Sequence, residues 1–188
     1  RDLRVRGRRQ RQMCIRDRTM GDTFGDMSGT SMATPHVTGG VGIIRDRLDD
    51  MMFAGETHKA ALTKTILMNS AVPHVDPKTK ATTSPRRQGA GVMNLKKATE
   101  LDFTAVDKDT KIASKFVGNV DDKITLNLLV HNYSSNVKEL TPSVQATIEA
   151  KDGKTLLLRP DELFSETYED KKFTVPAQTE QEFSITFP

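Results

Sequence analysis

Residues 27–44, MSGTSMATPHVTGGVGII, set four glycines and a proline in and at the head of one apolar, helix-spaced run. Ala33, Val37, Val41, Ile44 and Leu48 recur at intervals of four, four, three and four, which is one face of a helix. Gly39, Gly40 and Gly42 would each cost about 1 kcal/mol relative to alanine in an exposed helix. A helix that keeps all three is expected to be held by burial, with neighbours pressed against its backbone. Pro35 has no amide to offer the Ser31 carbonyl, so the first turn is predicted to be irregular. Ahead of it, residues 19–26 (TMGDTFGD) read as a loop. Ser28-Gly29-Thr30-Ser31 reads as a turn, with Thr30 as the N-cap.

A serine presented this way sits among unpaired backbone N–H groups at the positive end of a helix. Such donors suit an oxyanion formed when the serine attacks a carbonyl. The serine still needs a general base, normally a histidine oriented by a carboxylate. His36 lies five residues along, about 140° round the helix, and is read as structural. His58, His74 and His131 stand in polar surroundings and are read as surface residues.

GTSMATPHVTGGVG, residues 29–42, resembles the nucleophile motif of the subtilisin-like serine proteases, the subtilases. The resemblance implies that Ser31 is the catalytic nucleophile and that its backbone N–H is one oxyanion donor. Gly29, Thr30, Pro35 and His36 stand in the motif as structural residues. QGAGVMNLKKA, residues 88–98, is similar to the end of the peptidase domain in lactocepin-type cell-envelope proteinases. Subtilases order their triad Asp, His, Ser, yet 30 residues precede Ser31 and none is histidine. Asp22 and Asp26 are too near Ser31 along the chain to match the family aspartate. The chain is therefore expected to be a fragment from the catalytic serine onward. Its triad Asp and His, the oxyanion Asn and the parallel sheet would lie upstream, and alone it would be inactive.

A second helix is predicted over residues 58–70, capped by Thr57, with Leu62 and Ile66 as its stripe and Ala61 and Leu67 beside them. Residues 73–88 read as an apolar-poor loop in which Arg86 and Arg87 are solvated. From residue 103 the period becomes two. Residues 123–134 are apolar at Ile124, Leu126, Leu128 and Val130, and residues 143–150 at Val144, Ala146 and Ile148. Asp152-Gly153 suggests a hairpin turn, and residues 173–175 and 182–187 supply further strands. The expected fold is an α/β subtilase C-terminal fragment, mainly helical here with its parallel sheet missing, over residues 19–102. An all-β fibronectin type III-like sandwich follows over residues 103–188, with truncation at its end left open.

The formal charge of +3 comes from residues 1–18, which hold eight Arg and two Asp; residues 19–188 carry a net −3. Residues 1–18 show no strand or helix period. They read first as foreign to the native chain, resembling arginine-rich translated adapter sequence. A disordered tail and a basic arm for nucleic acid or a membrane surface are the alternatives. The single cysteine, Cys14, lies there too, so the remainder offers neither a disulfide nor a thiolate metal site. No apolar run reaches the roughly 18 residues of a membrane span. The expected partners are protein or peptide substrates and the upstream part of the peptidase domain, with no nucleic acid. No cofactor or metal is assigned here, although the family commonly holds calcium. The resemblance implies an extracellular, secreted or cell-envelope location. The rival reading is a non-catalytic binding or spacer protein that uses its β-sandwich.

Overall fold

A computed structural model of the chain describes residues 14–18, 24–50, 58–75, 77, 82–115, 117–118, 123–145 and 165–187. The first elements are two strands, β1 (Cys14–Arg18) and β2 (Phe24–Ser28), paired antiparallel with Cys14 opposite Ser28. This corrects two expectations: residues 14–18 form a strand, and the approach to Ser31 from Phe24 onward is a strand rather than a loop. A two-stranded ladder is made by backbone groups, so it leaves no side-chain period to read.

Helix α1 (Thr30–Asp50) follows at once. Its buried positions are Gly40, Ile44 and Leu48. Ala33 and Val41 are half-buried, but Val37 is 46% exposed and leaves the predicted face. The seat for α1 is built by α2 (Lys59–Ser70) and α4 (Leu95–Glu100), which cover mainly its C-terminal half. Leu62 and Ile66 of α2 and Ala98 of α4 join Ile44 and Leu48 in one core, with Leu67, Leu101 and Tyr133 packed against it. Ala61, expected beside the stripe, is exposed. His58 occupies the N-cap position of α2 and makes no side-chain cap bond; Thr57, the expected cap, lies outside the described residues.

Where it is described, the segment 73–88 is more structured than the predicted loop. A single helical turn, α3 (Pro85–Gln88), is capped by Ser84, whose hydroxyl accepts from the Arg86 N–H. Serine followed by proline is a start signal in its own right, because proline at the first helical position lacks only an amide that would be unpaired. Arg86 is exposed and Arg87 half-buried. The Gln88 side chain ties the segment together: its oxygen accepts from the His74 N–H and its amide donates to the Thr83 carbonyl, each at 2.5 Å. The His74 ring nitrogen Nδ1 lies 2.9 Å from the Thr83 hydroxyl. His74 is thus half-buried in a hydrogen-bonded clasp, not a free surface residue. Asn94 then caps α4 by accepting from the Lys97 N–H.

Beyond α4 the described chain is β-structured. Strands β3 (Phe103–Asp107), β4 (Ile124–Asn132) and β9 (Glu180–Phe187) form an antiparallel sheet in the order β3-β4-β9. Two further antiparallel pairs join β5 (Lys138–Leu140) with β8 (Phe173–Val175), and β6 (Ser143–Gln145) with β7 (Ser165–Thr167). The expected alternation holds in β9, where Ile185 is buried and Phe183 half-buried between exposed Glu182, Ser184 and Thr186. Val130 and Val175 are also buried, and the Phe173 and Phe183 rings stack at 4.1 Å. Ala146, Ile148 and the Asp152-Gly153 turn lie outside the described residues. At the end of β4, Asn132 is fully buried. Its amide nitrogen reaches the carbonyls of Asn136, Val175 and Pro176, and its oxygen accepts from the Ser134 N–H and hydroxyl.

The turn after β3 carries the main charge cluster. Asp107, nearly buried, pairs with Lys115 at 2.6 Å and accepts from the N–H and hydroxyl of Thr110. Lys115 first, then the Thr110 amide, draw the Asp107 carboxyl from its ordinary 3.8 down to about 2, against the opposing effect of lost hydration. Asp107 in turn raises the Lys115 ammonium above 10.5. A depressed carboxyl stabilises the fold above its unfolded pKa and loses that contribution as pH falls through its folded pKa. Acid titration of the folded chain is therefore expected to show a loss of stability between pH 3.8 and about 2 that Asp107→Asn flattens. Denaturant midpoints measured across that range check it; identical slopes for the two proteins would refute it. On the alkaline side the Lys115 contribution persists below 10.5 and fades as pH rises through its raised value.

Candidate active site

Gly29 sits between β2 and α1 with φ at +153°, a backbone conformation that disfavours side chains. Its carbonyl accepts from the N–H groups of both Met32 (3.2 Å) and Ala33 (3.1 Å). Gly29 is therefore the N-cap, and Thr30, the expected cap, is the first helical residue. The shared acceptor also answers the question of the first turn. It is tightened by the Met32 N–H, which bonds three residues back as in a 3₁₀ turn, and the helix then runs unbroken through Pro35.

Pro35 leaves the Ser31 carbonyl without a backbone donor four residues on. Its neighbours are doubly served by side chains: Thr34 donates to the Thr30 carbonyl at 2.8 Å and Thr38 to the Thr34 carbonyl at 3.0 Å. The His36 ring nitrogen Nδ1 lies 3.1 Å from the Met32 carbonyl. A carbonyl only accepts, so Nδ1 carries the proton in that bond, and the His36 ring bonds back to its own helix. The two threonines were not singled out from sequence. Their signal was present in the spacing Thr30, Thr34, Thr38 around a proline.

Ser31 occupies the second helical position and is exposed, as are Thr30, Thr34, Pro35 and His36. Among the described residues no acceptor bonds its backbone N–H and no side chain bonds its hydroxyl. The first turn of α1 contains no acidic residue, so the positive end of the helix is not neutralised from within. The arrangement offers a hydroxyl and a free N–H on one exposed residue, the pair needed to attack a carbonyl and hold the oxygen that becomes negative.

Gly40 is the one glycine of the three that meets a neighbour. A Cβ there would lie 2.7 Å from the Met93 sulfur and 3.0 Å from the Leu95 Cδ2, whereas Gly39 and Gly42 face open space. The expectation of close packing therefore holds at Gly40 alone. His131 is half-buried, stacked on Tyr133 at 3.9 Å with its Nδ1 3.1 Å from the Glu180 carboxylate; only His36 and His58 are exposed histidines. Among the described residues no group of three or more His, Cys, Asp or Glu side chains could hold a metal ion. No described helix is long and apolar enough to cross a membrane.

Residues 4–91 match the subtilase family. The chain belongs to the subtilase family. The match begins inside the arginine-rich segment and ends at Gly91. Among curated proteins the chain is similar to the C5a peptidase of Streptococcus pyogenes serotype M1, 32% identical over 166 residues, which cover 86% of this chain and 14% of the relative. It is also similar to the PI-type proteinase of Lactococcus lactis subsp. cremoris, 28% identical over 134 residues, 56% of this chain and 7% of the relative. These relatives place this subtilase with the cell-envelope proteinases, the subgroup to which QGAGVMNLKKA points. The chain spans about a seventh of the length of the first of them.

Proposed function

We propose that the intact protein is an extracellular serine endopeptidase of the cell envelope and that this chain supplies its nucleophile. Ser31 Oγ attacks a peptide carbonyl. A histidine outside this chain takes the serine proton and returns it to the leaving amine, while an aspartate, also outside, orients that histidine. Water then hydrolyses the acyl-enzyme. The Ser31 N–H and an asparagine side chain from elsewhere donate to the oxyanion. Proteins or peptides are the substrates. The strands after residue 103 are read as a fibronectin type III-like sandwich on which the peptidase end rests. The observation that carries this reading is the exposed Ser31, behind a positive-φ glycine, at the unneutralised end of α1 in a subtilase sequence.

The 188-residue chain alone lacks the base and is expected to be inert. Incubated with a serine-directed fluorophosphonate, it should show no labelling at Ser31, whereas the intact protein should label to one equivalent. Rapid labelling of Ser31 in the isolated chain, abolished by denaturation, would overturn the proposal.

A further inference from the structure

The helical part and the β-part meet through contacts that neither makes within itself. Asn69, in the last turn of α2, faces the edge of β3. Its side-chain oxygen accepts from the Ala105 N–H at 2.6 Å and its amide donates to the Ala105 carbonyl at 3.1 Å. One side chain thus satisfies both backbone groups of one residue, as a neighbouring strand would. β3 is an end strand of the β3-β4-β9 sheet, so α2 closes its free edge at that point. An unclosed edge would leave those two groups half-buried and unpaired, at a free-energy cost.

A second contact crosses in the other direction. Tyr133, just after β4, packs against the core formed by Ile44, Leu48, Leu62, Ile66 and Ala98. Its ring is held by the His131 stack, and its backbone N–H donates to the Asp102 carbonyl at 2.9 Å. The Asp102 carboxylate in turn pairs with Lys138 of β5 at 2.6 Å. The core that seats the Ser31 helix is therefore completed by a residue of the β-part.

We infer that the β-part is not an independent spacer: Asn69 and Tyr133 fuse it with α1 and α2 into one cooperative unit that opens and closes together. A boundary drawn at residue 102 divides the sequence but not the energetics. This stands whether or not Ser31 is a nucleophile, because it concerns folding alone.

Native-state hydrogen exchange on the 188-residue chain tests it. The amides of Ile44 in α1, Ile66 in α2 and Val130 in β4 should share one opening equilibrium, with the same dependence on added denaturant. Asn69→Ala should accelerate all three by a common factor of about ten or more, the scale of losing two partly buried hydrogen bonds. Two results would overturn the inference. One is wild-type exchange in which Ile66 opens at least about a hundredfold more readily than Val130, the sign of separate units. The other is an Asn69→Ala protein in which only the α2 amides accelerate. The wild-type comparison decides the matter even if the variant does not fold.

Discussion

On the proposed reading, replacing Ser31 with alanine in the intact protein should lower kcat for peptide hydrolysis on the order of 10⁶-fold, the scale of the corresponding loss in subtilisin. KM should barely move, because the hydroxyl becomes a nucleophile only along the reaction path and contributes little to holding the ground state. Stability should change by less than about 0.5 kcal/mol, since Ser31 is exposed and its side chain makes no described bond. The residual activity should stand above the uncatalysed rate, because the backbone N–H proposed to meet the oxyanion survives the substitution. Kinetics with a chromogenic peptide, beside a thermal melt of both proteins, separates these effects. A variant that retains even a tenth of its kcat would remove Ser31 from the chemistry.

What could be read beforehand follows from how far each signal reaches along the chain. The Ser31 motif, α1, α2, β4 and β9 rest on local spacing, and spacing is what a sequence displays. The limits of α1 burial were not legible. Periodicity marks Val37 and Ile44 as the same face, but which of them is covered depends on residues distant in sequence: Leu62, Ile66 and Ala98 share a core with Ile44 and Leu48, while Val37 stays exposed. The strand at residues 14–18 was hidden because backbone pairing needs no apolar alternation. His74 and His131 looked like surface residues because their partners, Thr83, Gln88 and Glu180, are polar too, and a polar clasp has the composition of a loop. Asn69 was invisible for a different reason. Its partner lies 36 residues away, and nothing local distinguishes a helix-terminal asparagine that closes a sheet edge from one that faces water. The turn α3 was the avoidable miss, since Ser84-Pro85 is a start signal that a loop reading passed over.

Gly91→Ala should be the most damaging single methyl in the described chain, at about 2–5 kcal/mol of stability. Gly91 has φ at +127°, so any side chain there is strained before it meets a neighbour. The added Cβ would also collide with the Val72 carbonyl group, whose carbon lies 2.6 Å away, and approach the Pro73 nitrogen at 2.9 Å. Those are backbone atoms and cannot rotate aside. The same Val72 exchanges two hydrogen bonds with Val92, at 2.9 and 2.8 Å, so moving it opens the bridge that closes residues 72–92. The damage should spread to α1, because Met93 and Leu95, directly after the bridge, are the groups lying against Gly40. Two other glycines calibrate the effect. Gly89 has φ at +62° and ψ at −132°, a conformation that favours glycine, with open space around its Cβ position, so alanine should cost only the backbone strain of about 1–3 kcal/mol. Gly39 is helical with nothing within 4 Å, so alanine there should stabilise by up to about 1 kcal/mol. Urea denaturation of the three variants should thus rank them Gly39→Ala, Gly89→Ala, Gly91→Ala from most to least stable. A Gly91→Ala protein as stable as Gly89→Ala would mean that the Val72 backbone yields freely, and that the 72–92 bridge does not hold the seat of α1.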